Sequence, residues 1–389
     1  MISSIKRLVE ENFDEIVEIR RHLHKYPELS FKEYKTSAYI KSILTKWDIP
    51  FTDGIADTGI LVVLKGNNPD IKTVALRADF DALPIQEEND IEYCSQNNGV
   101  MHACGHDAHT SSLLGALKIL NELKGYWEGS IKFIFQPAEE MLPGGAQQMI
   151  KEGVLEDPKV EKMLGQHVFP DLEVGKVGFC PGKYMASTDE LYITINGKGG
   201  HAALPEKYNN PLLAAAKLIT SLDESFQKEK DRPSVLAIGF IEGLGSTNVI
   251  PAQVKLKGTL RAMDEEFREN SHQKMLEISQ TISEEYNIEI DFDIRKGYPC
   301  LINDKEITEK SIGFAKEYLG KDNVIELPIR MTAEDFAYYS QLIPSCFYRL
   351  GTKNESKGVI HGLHTSKFDI DEHALKIGMG LVAYLSIKN

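Results

Sequence analysis

Apolar residues along this chain change their period several times, and each change predicts an element. Ile5, Leu8, Val9, Phe13, Ile16, Val17 and Leu23 recur at helical spacing, the stripe of an amphipathic opening helix. Two short apolar runs follow, Gly59 to Leu64 and Thr73 to Leu76, each bounded by turn or charged residues as buried strands are, and Asp79 and Asp81 fall just past the second. Leu113, Leu114, Leu117, Leu120 and Leu123 predict another helix, Ile131 to Phe135 a strand, and Met163, Leu164 and Val168 a further strand with His167 near its end. Strand and helix patterns alternating in this way predict an α/β fold with a mixed, largely parallel sheet. Ligands of such sheets bind beyond the carboxyl ends of the strands, where Asp79, Glu139, Glu140 and His167 are expected to converge.

Near residue 187 the pattern becomes strict alternation. Leu191, Ile193 and Ile195 alternate with polar residues, Gly197 to Gly200 makes a turn, and Pro211 to Leu222 reads as a helix. Val235 to Ile241 is strand-like, Val254 and Leu256 alternate, Glu265 to Glu285 is a long amphipathic helix, and Ile288, Ile290, Phe292 and Ile294 alternate again. Two helices and four alternating strands predict a small α+β domain with a one-sided antiparallel sheet. The α/β pattern then returns, so the expected organisation is a discontinuous domain, 1–186 and 300–389, with a smaller domain, 187–299, inserted into it. A chain of 389 residues exceeds the size at which one core stops growing, which agrees with two domains.

Composition narrows the partners. Apolar residues at 42% and charged residues at 26% are ordinary for a globular enzyme, and a net charge of -14 repels nucleic acid and anionic membrane surfaces, leaving a small molecule as the expected ligand. The N-terminal residues Met1 to Asn12 are too charged for a signal-peptide core, and no apolar run approaches the roughly 18 residues of a membrane span, so a cytoplasmic location is expected. Five cysteines, odd in number and scattered, are not a disulfide scaffold; Cys104 is available as a thiolate, whereas Cys94, Cys180, Cys300 and Cys346 read as small buried hydrophobes.

The chemistry concentrates in Met101-His102-Ala103-Cys104-Gly105-His106-Asp107-Ala108-His109 and in Gln136-Pro137-Ala138-Glu139-Glu140. Glycine between Cys104 and His106 lets the backbone turn sharply, so that both side chains can face one cation, and thiolate with imidazole suits zinc and other late first-row divalent metals. His102 and His109 read as supporting groups, and Asp107, at the start of the next helix, as its cap. Adjacent carboxylates on an irregular loop point in different directions, so one of Glu139 and Glu140 can bind metal while the other faces the substrate; the plainer alternative is a solvated surface pair. His167 reads by itself as a satisfied core histidine, His364 as a loop histidine, and Arg261 as a strand-end charge.

Ordered motifs run nearly end to end: Arg20-Arg21-His22-Leu23-His24, Pro27-Glu28-Leu29-Ser30, Arg77-Ala78-Asp79-Phe80-Asp81-Ala82-Leu83-Pro84, the two segments above, Gly197-Lys198-Gly199-Gly200-His201-Ala202-Ala203, Asn248-Val249-Ile250-Pro251, Gly258-Thr259-Leu260-Arg261, Met331-Thr332-Ala333-Glu334-Asp335-Phe336 and His361-Gly362-Leu363-His364-Thr365. With these the chain resembles the amidohydrolase branch of the M20 metallopeptidase family, the group of N-acyl-amino-acid hydrolases, N-acetyldiaminopimelate deacetylases and auxin-conjugate hydrolases. The resemblance implies two divalent metal ions (Zn, Mn, Ni or Co), with Cys104 bridging, His106 and His167 completing one site, and Glu140 and His364 the other. His361, three residues before His364, is easily mistaken for it. The resemblance also implies that Glu139 is general base and acid, that Asp79 orients a metal-binding side chain, that His201 stabilises the oxyanion, and that Asn248 and Arg261 grip the substrate. It makes 1–186 and 300–389 the catalytic domain and 187–299 a lid through which a homodimer forms.

The implied reaction is hydrolysis of the amide bond of an N-acyl-L-amino acid or a related N-acetylated amino acid, with a small N-acylated amino acid or dipeptide as the expected ligand. Metal lowers the pKa of water from about 15.7 toward roughly 7, and a positioned base contributes about 10²- to 10⁴-fold, so both are required together with oxyanion stabilisation. Alternatives are a dipeptidase or aminopeptidase of the same family, a cysteine hydrolase with Cys104 as nucleophile, and a silent metal-binding dimerisation module. Two departures from the wider family stand out. Arg77 occupies a place where other branches carry a metal-binding histidine, and a guanidinium cannot ligate; Met141-Leu142 lengthens the loop after Glu140.

Overall fold

The computed structural model describes residues 1–227 and 232–389. Internal packing divides them into two units, Met1–Gly182 with Ile302–Pro328 and Asp335–Asn389, and Lys183–Leu301 with Ile329–Glu334.

The first unit opens with α1 (Ile2–Lys25), whose predicted stripe buries Ile5, Leu8, Val9, Ile16, Val17 and Leu23, and with α2 (Tyr34–Lys46). Strands β1 (Thr52–Ile55), β2 (Gly59–Lys65) and β3 (Thr73–Asp79) lead to α3 (His106–Glu122), followed by β4 (Ser130–Gln136), α4 (Gly145–Lys151), β5 (Lys162–Glu173) and β6 (Val177–Phe179). The chain leaves through β7 (Gly182–Met185) into β8 (Asp189–Asn196), β9 (Gly200–His201), α5 (Pro211–Gln227), β10 (Ser234–Glu242), β11 (Val249–Ile250), β12 (Gln253–Ala262), α6 (Glu265–Tyr286) and β13 (Glu289–Lys296). It returns through β14 (Leu301–Asn303), α7 (Lys305–Leu319), β15 (Val324–Glu326), α8 (Ala337–Ser340), β16 (Ser345–Lys353) and α9 (Ala374–Lys388).

The first unit holds an eight-stranded sheet in the order β1-β2-β4-β3-β5-β16-β6-β15. Its central strands β4, β3, β5 and β16 are parallel, while β1, β2 and β6 join antiparallel, which is the predicted mixed and largely parallel sheet. Every residue of β3 and β4 is buried, as expected of strands covered on both faces. Helices α1, α3 and α9 share the main core, and α9 comes so close to α3 that a Cβ on Gly115 would lie 2.7 Å from Met379 Sδ. Register aligns the site: Asp79 faces Gln136 and Arg77 faces Gly165, so His167, two residues on, lies level with Asp79 at the carboxyl edge of β3 and β4. Asp79 is the last residue of its strand rather than just beyond it. His167 lies within β5, not near its end, because β5 runs on along β16 as far as the pair Lys353 and Glu173.

The second unit carries the predicted four-stranded antiparallel sheet, in the order β10-β12-β8-β13. Leu191, Ile193, Ile195, Val254 and Leu256 pack against Ala214, Ala215, Leu218 and Leu222 of α5 and Met275 and Ile282 of α6. A separate ribbon pairs β9 with β11.

Candidate metal centre

The centre is built where α3 begins. Gly105 adopts φ 83, open to glycine at little cost, and a Cβ there would meet Val168 Cγ2 at 2.5 Å. This turn presents Cys104 and His106 on the same side of β5. Cys104 Sγ lies 3.5 Å from His167 Nε2, while His167 Nδ1–H donates to the Val168 carbonyl at 2.7 Å, which leaves the Nε2 lone pair for the centre. His106 Nδ1 bonds Asp81 Oδ1 at 3.1 Å, and its Nε2 lies 3.9 Å from both Glu139 Oε2 and Glu140 Oε1. His364, at φ 60, donates its backbone N–H to the Ala103 carbonyl at 2.8 Å and brings Nε2 to 3.3 Å from Glu140 Oε1.

Donor atoms therefore gather in triplets whose members all lie within 4.8 Å of one another: Cys104, His106 and His167 in one, Cys104, Glu140 and His364 in another, and His106, Glu139 and Glu140 in a third. Cys104 belongs to the first two. Asp79 forms a further triplet with His106 and His109, so seven of the ten residues singled out from sequence lie together.

The electrostatics fit a cation. His106 Nε2 and Glu140 Oε1 are buried without a hydrogen-bond partner. Burial would lower the pKa of His106, yet the carboxylates of Asp79, Asp81 and Glu140 raise it to about 10. Burial, then the charges of Glu140, Glu139 and Asp79, push the Cys104 thiol well above its ordinary range. A divalent ion would relieve this negative field and its orphaned atoms and would favour thiolate and neutral imidazole; the S, N and O donor set suits late first-row metals. His167 already rests neutral, lowered by burial and by Arg349.

The surrounding carboxylates divide the work. Asp81 Oδ2 accepts from Glu140 N–H at 2.9 Å and from Ser30 Oγ at 2.6 Å, so one carboxylate joins His106, Glu140 and the turn after α1. Asp79 bonds His109 Nδ1 at 2.6 Å, and His109 Nε2 accepts the Val168 N–H at 2.9 Å; both ring nitrogens are used within the protein. Arg77 donates to Asp79 at 2.6 Å, to Gln136 at 2.9 Å and to Asp335 at 2.5 Å, tying the ends of β3 and β4 to the segment before α8.

One expectation is corrected. Asp107 does not cap α3: no side chain caps that helix, and Asp107 Oδ2 instead takes Arg20 Nε at 2.8 Å and His24 Nδ1 at 2.7 Å. A fully buried guanidinium demands a carboxylate more strongly than a helix end does. Glu87 bonds His24 on its other side at 3.1 Å. Asp81, given no role by sequence, and this buried cluster were missed; Asp81 lies in the same motif as Asp79, whereas Glu87 falls in no motif. His102 is buried, its nitrogens make no hydrogen bond, and burial lowers its pKa to about 4. His361 is exposed.

The other three candidates belong to the second unit. His201 and Asn248 are exposed neighbours across the small ribbon: His201 pairs with Val249, and Ala202 N–H bonds the Asn248 carbonyl at 3.0 Å. Arg261 lies on β12 opposite Val235.

The sequence profile of Peptidase family M20/M25/M40 matches residues 75–387. The chain belongs to this family. Over 365 residues it is 37% identical to the N-acetyl-L-cysteine deacetylase of Bacillus subtilis, covering 93% of this chain and 85% of that one. It is 36% identical over 393 residues to thermostable carboxypeptidase 2 of Saccharolobus solfataricus, covering 100% and 98%. The crystal structure of the Bacillus subtilis YXEP protein, a dinuclear metal-binding peptidase of the M20 family, matches with a TM-score of 0.82 and 32% identity over 97% of this chain and 98% of that one. As a member of the M20 family the chain is a hydrolase. No helix among the described residues is long and apolar enough to cross a membrane.

Proposed function

We propose that this hydrolase releases an amino acid from an N-acyl-L-amino acid by cleaving the amide bond. The observation that carries the reading is the pair of donor triplets sharing Cys104, with the buried Glu139 at their edge. Two divalent ions, of Zn, Mn, Ni or Co, would be held by Cys104 with His106 and His167 and by Cys104 with Glu140 and His364. When bound they supply Lewis acidity toward the carbonyl oxygen and lower the pKa of water from about 15.7 to roughly 7.

The chain's own groups do the rest. Glu139 Oε2 takes the proton of the attacking water and returns it to the leaving nitrogen, while Asp81 keeps His106 and the Glu140 backbone in place. Asp79 acts through His109, which fixes the Val168 amide beside His167. His201 stabilises the oxyanion, Asn248 holds the carbonyl and the Arg261 fork takes the substrate's α-carboxylate. A deacetylase of amino acids and a carboxypeptidase cleave amides of one kind, in which the leaving amine carries a free α-carboxylate; that shared feature supports the N-acyl-amino-acid class.

The second unit serves in this reading as lid and as the surface for a second copy. Support comes from its exposed apolar residues Leu212, Leu213, Phe240, Ile241, Leu244 and Val249. All five cysteines are free, which suits a reducing, cytoplasmic setting. The test is amine release from N-acetyl-amino acids, N-acetyl-diaminopimelate and dipeptides before and after chelation. Hydrolysis of the N-acetyl substrates that disappears with the metal is expected; activity surviving chelation would instead favour Cys104 as a nucleophile, and dipeptide cleavage alone a peptidase.

A further inference from the structure

Glu139 and Glu140 are held by a loop whose first turn is unfavourable. Ala138, immediately before them, sits at φ 54 with no exposure, in the left-handed region that a side chain with a Cβ rarely adopts. Such a conformation persists only where the surroundings over-determine it. Two bonds do so here. The Ala138 carbonyl accepts Gly145 N–H at 2.9 Å, and the Ala138 N–H donates to Glu33 Oε1 at 2.9 Å. Gly145 has no alternative, since a Cβ there would lie 1.9 Å from the Pro137 carbonyl oxygen.

Glu33 is a fully buried carboxyl more than a hundred residues from this loop in sequence, and it belongs to none of the donor triplets. Oε1 also accepts Phe31 N–H at 3.0 Å, and Oε2 accepts Thr58 Oγ1 at 3.2 Å. The turn that carries it is rigid in its own right: Glu28 Oε2 takes the N–H groups of Lys35 and Thr36, each at 2.8 Å, and Ser30 Oγ reaches Asp81. The turn between α1 and α2 thus grips the catalytic loop at two points, at Ala138 through Glu33 and at Glu140 through Ser30 and Asp81. A carboxyl buried at the cost of desolvation, aimed at the one strained residue before the base, is placed where it controls the direction of Glu139.

We infer that Glu33 is a positioning residue, which locks Ala138 in its left-handed turn and thereby aims Glu139 at the reacting water. This rests on Glu139 being the base. Removing the lock leaves the donor triplets and the substrate grip in place but lets the base wander, so the loss falls on kcat and not on KM. Partners that orient metal-ligating side chains from behind are worth about 10- to 100-fold, and a loss on the same scale is expected for a group that orients the base.

The experiment measures kcat and KM of Glu33→Gln, Glu33→Asp, Glu33→Ala and Glu139→Ala on one N-acetyl-amino acid, each metal-loaded and checked for folding by circular dichroism. Gln keeps Oε1 as an acceptor at the same reach and is expected within about threefold of wild-type kcat, while Asp and Ala lose about 10- to 100-fold in kcat with KM within twofold. Asp keeps a carboxyl group but is one methylene too short to reach Ala138, so it carries the test if Ala does not fold. Three results overturn the inference: Asp or Ala, folded, within threefold of wild-type kcat; a loss that resides in KM; or failure of both Asp and Ala to fold, which would make Glu33 a support of the whole domain. A Glu139→Ala variant with wild-type activity fails the reading of the base itself; an inactive one beside unaffected Glu33 variants fails the inference alone.

Discussion

At the scale of single residues, charge placed in a dry interior decides what each group can do. Asp81 holds the His106 ring and the Glu140 backbone with one carboxylate, so Asp81→Ala should weaken metal retention by about 10- to 100-fold while the ligands themselves remain. Metal analysis after dialysis against a chelator checks it; retention equal to wild type would contradict it. Behind the centre, burial and Arg20 oppose the charge of His24, but Asp107 and Glu87 outweigh them and raise its pKa to about 9. Unfolded, the same imidazole titrates near about 6.5. The folded value is the higher one, so the stability this histidine contributes is complete below about 6.5 and is lost as pH rises through about 9. The stability gap between wild type and His24→Gln, measured by urea unfolding, is therefore expected to shrink between pH 7 and 9, and a gap independent of pH would refute the charged pair. Asp107→Ala, which removes one carboxylate from buried Arg20 but leaves it Asp369 at 2.6 Å, should cost less than the about 3–5 kcal/mol of a fully broken buried pair in the same measurement.

At the scale of elements, the turn into α3 makes the site. Gly105 is pressed against Val168 with a positive φ, so Gly105→Ala should cost about 1–3 kcal/mol and move Cys104 relative to His106. Paired urea unfolding and metal titration check it: a variant of wild-type stability and metal affinity would show that the turn tolerates a Cβ. The amphipathic period made α1 legible, and alternation made β8, β12 and β13 legible, because each buries a single face. Helix α9 was not legible. Eleven of its fifteen residues are buried, and a helix wrapped in protein has no polar stripe to set its period. Asp107 misled for a related reason, since its position at a helix start carries no trace of the Arg20 that waits across the core.

At the scale of the whole molecule, parallel strands bring Asp79 and His167 level at one edge of the sheet, while loops from far along the sequence deliver Glu140 and His364. Periodicity placed Asp79, Glu140 and His167 near strand ends but left His364 as a loop histidine; only the resemblance carried by the ordered motifs grouped them as a metal site. Glu33 escaped notice because its work is done on a backbone N–H, which leaves no mark in side-chain chemistry. Metal removal should lower the thermal unfolding midpoint as well as abolish activity, because the orphaned His106 Nε2 and Glu140 Oε1 then lie buried without a partner. Calorimetry of the metal-loaded and stripped protein checks this, with equal midpoints as the contrary result. The most direct test of the central claim is the kcat of Glu139→Ala on an N-acetyl-amino acid, with metal content determined on the same sample. A fall of about 10²- to 10⁴-fold with both metals retained is predicted; wild-type turnover in that sample would contradict the account.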